Sequence, residues 1–453
     1  MMASPDGDSR LTILGGGIAG LSVGHYARRA GLPFTILESR PEIGGNCRTI
    51  EHGGFRFDTG AHRFHDKDAS QTRELRALLG DEVREISVPS RIHHRGRFIA
   101  FPLSPIDLAR QLGLRSVSRA AFEVLRARLA SRRGEINFET LAVRNYGRTI
   151  AELFLLGYSH KLWGVPPRGL SPVVSGSRLK GLTAAAMLRE MTGGRKSGAK
   201  HLDGNFFYPR SGIRAIPDRL GESCGPGSIL TRSRVTRVVH DDRAIRAVEI
   251  NGRELRETGR VIGTLPLVPF LEMFDPAPPP EILGPARKLK HRNLLLCALF
   301  LDTPSVSPFA SFYFPDPRIP FSRVYEPKAR SASMAPPGKT AVVAEIPCWP
   351  NDPAWREADG ALLEKTSSEL SRIGFIRTGD VIGGLVVRLD FAYPVIGMET
   401  EALVRPIFRY LARFGNLALS GRCARFKYAH IHDLMRRGQE IVAGGAFGRI
   451  DGR

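Results

Sequence analysis

Leu11-Thr12-Ile13-Leu14-Gly15-Gly16-Gly17-Ile18-Ala19-Gly20 is a short apolar run that breaks into a glycine-rich turn. The run is of strand type, and Gly15, Gly17 and Gly20 match G-x-G-x-x-G. An amphipathic helix is expected next, with Leu21, Tyr26 and Ala30 apolar, Arg28 and Arg29 polar, and Gly31 at its end. A second strand, Phe34 to Leu37, closes on Glu38. Each glycine has its own physical role. The first makes the tight turn, the second lets a pyrophosphate approach the backbone, and the third packs helix against strand. The unpaired N–H groups and the positive dipole end of the helix N-terminus then face the diphosphate. Glu38, 18 residues past Gly20, lies where an acid accepts hydrogen bonds from ribose hydroxyls. Strand, helix, strand and acid in this register predict a Rossmann-like α/β dinucleotide-binding fold.

Working outward, Ser39-Arg40-Pro41-Glu42-Ile43-Gly44-Gly45-Asn46 sets a second glycine pair just beyond the acid, and Phe55-Arg56-Phe57-Asp58-Thr59-Gly60-Ala61-His62 follows. The first resembles the R-x-x-x-G-G motif of FAD enzymes in the amine oxidase superfamily, and the second its F-D-x-G-x-H segment. Tyr158-Ser159-His160-Lys161-Leu162-Trp163-Gly164 resembles Y-x-x-K-x-W-G, and Phe321-Ser322-Arg323-Val324-Tyr325-Glu326 resembles T-R-x-x-E. Tyr393-Pro394-Val395 matches Y-P-V, while Gly421-Arg422 with Phe426-Lys427-Tyr428 resembles G-R-x-x-x-Y-x-Y, departing at Phe426. These motifs are similar to those of the branch holding UDP-galactopyranose mutases and related protoporphyrinogen-oxidase-like FAD oxidoreductases. The resemblance implies FAD as cofactor. Its contacts would be Gly15, Gly17, Ile18, Ala19, Gly20, Glu38, Ser39, Gly44, Gly45, Asn46, Gly60, Ala61, His62, Val235, Thr264, Gly421 and Arg422.

The fold so implied is an FAD-binding α/β domain of amine oxidase type, with a helical lid insertion and an antiparallel-sheet substrate domain. The expected divisions are a first FAD-binding segment at 1–90, a helical basic lid at 91–200, and a second FAD-binding segment at 201–290. A substrate-domain sheet at 291–405 and a C-terminal FAD-binding segment at 406–453 complete the chain. In the lid, Leu108, Leu112, Phe122, Leu125 and Leu129 fall at helical spacing. The apolar run Leu294 to Leu301 is too short to span a bilayer and reads as a buried strand.

Composition narrows the class. The chain has 453 residues, 42% hydrophobic and 25% charged, an ordinary globular balance. Five scattered cysteines include no CxxC pair, which points away from a disulfide framework or zinc site and toward reduced thiols. The polar, acidic first residues do not read as a signal peptide, so a cytoplasmic protein is expected. The formal charge is +21. Its excess gathers at Arg110, Arg115, Arg119, Arg126, Arg128, Arg132 and Arg133, and again at Arg178, Lys180, Arg189, Arg195, Lys196 and Lys200. Such a field attracts anions: phosphorylated substrates, anionic lipid surfaces or nucleic acid. No nucleic-acid module accompanies it.

The candidate chemistry follows from the resemblance. Trp163 would wall the substrate site, Arg178 and Arg323 would clamp a diphosphate with forked donors, and Tyr393 and Tyr428 would donate hydroxyl bonds. His62 would sit near the flavin. A metal is not expected, because His62 and His65 at i, i+3 have no third ligand in view. Resemblance to the mutases implies ring isomerisation of a nucleotide-linked sugar at N5 of reduced FAD, with NAD(P)H as a conceivable external reductant. The alternative is an oxidoreductase of amine oxidase, dehydrogenase or desaturase type, moving hydride from a small molecule to the flavin. It draws on the chain's length and on a lid that does not reproduce the mutase pattern after Trp163.

Overall fold

Four consecutive buried residues, Leu11–Leu14, form β1 at the centre of a five-stranded parallel sheet. The structure, a computed structural model, describes residues 10–101, 103, 105–129, 136–175, 205–444 and 446–450. β1 leads through the glycine turn into α1 (Ile18–Arg29), and β2 (Phe34–Leu37) pairs parallel to β1 from Leu11↔Phe34 to Leu14↔Leu37. The sheet order is Leu417–Leu419, Arg260–Gly263, β1, β2, Ile229–Leu230. Segments from both ends of the chain thus meet in one sheet, as parallel strands require when crossovers cover both faces.

α1 is less amphipathic than its sequence implies. Every residue from Ile18 to Ala27 is buried, including Ser22 and His25, and only the last turn carries exposed arginines. The outer face is covered by helices Ala215–Cys224 and Ile431–Val442. His25 is satisfied there by Ser223 Oγ at 2.7 Å and Glu74 at 3.0 Å. Burial of these polar groups is tolerated because each finds a partner.

A separate four-stranded sheet, ordered Glu254–Glu257, Ile245–Ile250, Val235–His240, Phe274–Asp275, packs beside the parallel one and shares its core. The third sheet is seven-stranded, in the order Val381–Pro394, His291–Leu301, Thr340–Cys348, Arg323–Tyr325, Ser311–Tyr313, Ser90–His94, Arg97–Phe101. Its pairings are antiparallel except between Ser311–Tyr313 and Ser90–His94. All eleven residues of His291–Leu301 are buried, which fits a central strand covered on both faces.

One expectation for the lid is corrected. Residues 90–94 and 97–101 are strands at the edge of the seven-stranded sheet, not helix; Ile92 and Ile99 stand opposite each other across the pair and are both buried. Helices begin only at Pro105–Leu112 and continue as Leu114–Leu129, Phe138–Ile150 and, past a π-helical stretch at Ala151–Leu156, Gly157–Trp163. Phe122 and Leu125 are not core residues: they are 65% and 57% exposed, whereas Ala120 and Val124 face inward. The inward face uses small residues because the next helix comes close; a Cβ on Gly147 would lie 2.7 Å from Ala120 O. Arg115, Arg119 and Arg126 lie on the exposed side. Residues 130–135 and 176–204, with Arg132, Arg133, Arg178, Lys180, Arg189, Arg195, Lys196 and Lys200, lie outside the described residues, as does the side chain of Arg128. No described helix is long and apolar enough to cross a membrane.

Candidate functional site

The glycine turn is shaped by contacts that no side chain would allow. A Cβ on Gly20 would sit 2.0 Å from Gly15 O, and Gly15 itself has φ +110°. Gly45, at φ +58°, presses against Gly17, where an added Cβ would lie 3.2 Å from the Gly17 Cα. Gly44 N donates to Gly16 O at 2.8 Å, which ties the second glycine pair to the first turn. Gly17 begins α1 with no side-chain cap, so Ile18 and Ala19 offer their amides to a ligand.

Glu38 is 7% exposed and closes one end of this cradle. One carboxylate oxygen accepts from Gly16 N at 2.8 Å; the other accepts from Arg40 N at 2.8 Å and from Ser39 Oγ at 3.3 Å. Val235 is buried beneath Leu14 and Leu37 in the shared core, and Thr264 Oγ1 donates to Leu14 O at 2.7 Å. Arg48 is a residue that the sequence motifs do not single out. Its buried Nε has no hydrogen-bond partner among the described residues. Burial, then the neighbouring Arg40 and Arg214 cations, lower its pKa. A glycine cradle, uncapped helix amides and a crowded, partly unsatisfied guanidinium fit an anionic diphosphate, and so fit FAD.

The far end of the cradle is made of side chains. Thr59 Oγ1 donates to Asn46 O at 2.7 Å, and His62 Nε2 meets the same carbonyl at 3.0 Å. A carbonyl only accepts, so Nε2 carries the proton and Nδ1 keeps a lone pair. Burial, followed by the Arg422 and Arg323 cations, lowers the His62 pKa to about 4, and the bond to Asn46 only partly opposes this. His62 is therefore neutral at pH 7. Beyond Gly60, Ala61 N donates to Glu345 Oε1 at 2.9 Å.

Glu345 is the second residue that sequence reasoning missed. It stands in the strand Thr340–Cys348 directly opposite Arg323 and is 1% exposed. Arg323 grips it with two prongs, Nε to Oε2 at 2.9 Å and Nη2 to Oε1 at 2.7 Å. Burial disfavours the charge on Arg323, but Glu345 outweighs it and holds the guanidinium protonated, with a raised pKa. Tyr393 lies in the same field; burial and then Glu345 push its pKa up to about 12, so its hydroxyl stays a donor.

Trp163 ends its helix 3% exposed, with its ring edge-on to Tyr393 at 5.9 Å and to Tyr428 at 6.4 Å. Arg422 follows Gly421, lies over the Tyr428 ring at 4.8 Å and near Tyr393 at 5.9 Å, and anchors through Nη2 to Ala429 O at 2.9 Å. The structure thus gathers His62, Trp163, Arg323, Tyr393, Arg422 and Tyr428; Arg178 lies outside the described residues. Lys161 of the Trp163 segment plays a different role. Its Nζ lies 2.5–3.2 Å from the carbonyls of Phe314, Asp316, Ile319 and Phe321 and shares its three N–H donors among them, pinning the helical segment to the seven-stranded sheet.

The family model described as flavin containing amine oxidoreductase matches residues 18–394. Protoporphyrinogen oxidase 2, chloroplastic/mitochondrial, of Arabidopsis thaliana is 22% identical over 261 residues, 50% of this chain. That match spans 49% of the plant protein, about half its length. Phytoene dehydrogenase of Streptomyces griseus is 23% identical over 428 residues, covering 84% of this chain and 82% of that protein. Among solved structures, a reduced UDP-galactopyranose mutase superposes with a TM-score of 0.80 at 18% identity, covering 96% of this chain and 94% of the mutase. A putative protoporphyrinogen oxidase from Exiguobacterium sp. 255-15 superposes at 0.77 and 18% identity, covering 98% and 99%. At these identities the structural likeness is one of fold.

Proposed function

The chain belongs to the flavin containing amine oxidoreductase family and is an FAD-dependent enzyme; from that premise we propose that it acts on an anionic nucleotide-linked sugar, as a sugar-ring mutase does. The observation that carries this reading is the positive field at His62: burial is the largest cause of its lowered pKa, and beyond burial both Arg422 and Arg323 push it further down. A field that repels a proton from imidazole also repels a substrate ammonium and draws in a diphosphate. The nearby carboxylates do not reverse it. Glu345 is taken by Arg323 and Ala61 N, and Asp58 by Tyr208, Thr49 and Ile213 N.

On this reading Arg422 and Arg323 bind the diphosphate, while Tyr393 and Tyr428 donate hydroxyl bonds to phosphate or sugar. The edge of the Trp163–Tyr393–Tyr428 cluster receives the flat or ring portions of the ligand. Arg178 belongs to the same proposal as a second cation from the helical segment. Neutral His62 offers Nδ1 as an acceptor beside the flavin position and cannot serve as a general acid near pH 7. Bound reduced FAD would supply the electron-rich N5 centre that ring isomerisation needs.

A net oxidoreductase, taking hydride from a small molecule, is the second reading. It is favoured by the long alignment with phytoene dehydrogenase and by the engagement of Arg323 with Glu345, which leaves that guanidinium fewer donors for phosphate. One anaerobic experiment separates the two. Dithionite-reduced holoprotein is mixed with UDP-galactopyranose and related UDP-sugars, and products are followed by chromatography. The mutase reading expects an isomer with no net change in flavin oxidation state. Stoichiometric peroxide from an amine or alcohol in air, with no isomer from any UDP-sugar, would replace it with the second reading.

A further inference from the structure

Away from the flavin end of the cradle, unpaired positive charge concentrates beyond the helix Ala69–Leu79. Arg73 and Arg76 of that helix, Arg84 of the strand Val83–Ser87, and Arg210, just past the strand Asn205–Pro209, line one cavity of about 510 Å³. A single carboxylate, Asp81, faces them. Among the described residues, the side chains of Arg73, Arg84 and Arg210 make no hydrogen bond or ion pair. Arg76 rests only against the Phe207 ring, at 5.4 Å.

The wall is fixed rather than casual. Val83–Ser87 pairs antiparallel with Asn205–Pro209, setting Arg84 opposite Tyr208, and Arg210 N donates to Glu82 O at 2.8 Å. Glu82, the acid next to Asp81 in sequence, is already engaged. Its Oε1 accepts from Ser211 N at 2.6 Å and Ser211 Oγ at 2.5 Å, and it is not among the residues that line the cavity.

Four guanidinium groups around one concavity repel one another and together attract an anion. Arginine forks match phosphate oxygens in paired hydrogen bonds. The volume falls within the roughly 300–1,000 Å³ of small-ligand sites, which favours a compact anion over a macromolecular partner. We propose that this pocket is a second anion site that binds a diphosphate group, borne by a nucleotide or free as inorganic diphosphate. It stands apart from the reading of the flavin face, since none of its arginines belongs to that cluster.

The test uses FAD-loaded protein and isothermal titration with inorganic pyrophosphate and, separately, ADP, on wild type and on Arg84→Ala/Arg210→Ala. Both side chains are exposed, so the double variant should keep the wild-type FAD content and thermal midpoint. The expected result is saturable binding that leaves the flavin absorbance unchanged and weakens at least tenfold in the double variant. Tighter binding of ADP identifies the source as a nucleotide; equal binding identifies inorganic diphosphate. Unchanged affinity in the variant, no saturable binding of either probe, or saturation only with a perturbed flavin spectrum would overturn the proposal.

Discussion

At one end of the cofactor cradle, Gly15, Gly17, Gly20 and Gly45 work by having no side chain; the atoms crowding Gly17, Gly20 and Gly45 come from nearby in the sequence, while Gly15 also closes against the distant Thr264. At the other, His62, Trp163, Arg323, Glu345, Tyr393, Arg422 and Tyr428 work through side chains delivered from six separate stretches of chain. The first end depends on local sterics, which the order of residues specifies directly. The second depends on strand register and helix docking, so a shift of one residue at Arg323–Tyr325 would turn Arg323 to the opposite face and leave Glu345 buried without a cation.

Breaking the side-chain end should have the largest effect. Glu345→Leu strands Arg323, 15% exposed, without its carboxylate, and is expected to cost about 3–5 kcal/mol in urea unfolding. Arg323→Met/Glu345→Leu removes both charges and should recover most of that loss. A single variant within about 1 kcal/mol of wild type would mean the pair does not organise the sheet.

Gly20→Ala probes the backbone end. The new Cβ would overlap Gly15 O, a backbone atom that moves only with the whole turn. A loss of about 1–3 kcal/mol is expected, with a clear fall in the flavin-to-protein absorbance ratio. Full FAD content would show that the turn is looser than the contact implies.

The boundaries of β1 and β2 and the turn between β1 and α1 were legible because each follows from a short run and its punctuation. The helix holding Phe122 and Leu125 was legible from the same local logic, but not which of its faces packs, since both side chains face outward. The true contact is made by Ala120 and Val124 because a glycine in the next helix permits close approach. Glu345 left a signal, a lone acid inside the apolar run Ala341-Val342-Val343-Ala344-Glu345-Ile346. Its partner could not be read, because pairing with Arg323 is a fact of register. Lys161 sat inside a motif that resembled a substrate segment, yet its role is to serve four carbonyls of a loop some 155 residues away.

The smallest expected effect concerns pH. The folded pKa of His62, about 4, lies below its ordinary value of 6.5, so the unfolded chain binds the extra proton first as pH falls. Stability should therefore decline between pH 6.5 and 4 and be unaffected by this group above 6.5. His62→Gln should flatten that decline by on the order of 1 kcal/mol once partial exposure is discounted. An identical pH profile in the variant would assign the decline to other groups.

The central claim is that the flavin face selects an anion. It is tested most directly by titrating FAD-loaded protein with UDP while following the flavin absorbance, alongside Arg422→Gln and a primary alkylamine as the cationic control. The account predicts a saturable spectral change with UDP, weakened about tenfold or more in Arg422→Gln, which corresponds to about 1.4 kcal/mol, and none with the amine. A flavin spectrum that responds to the amine and ignores UDP would contradict it.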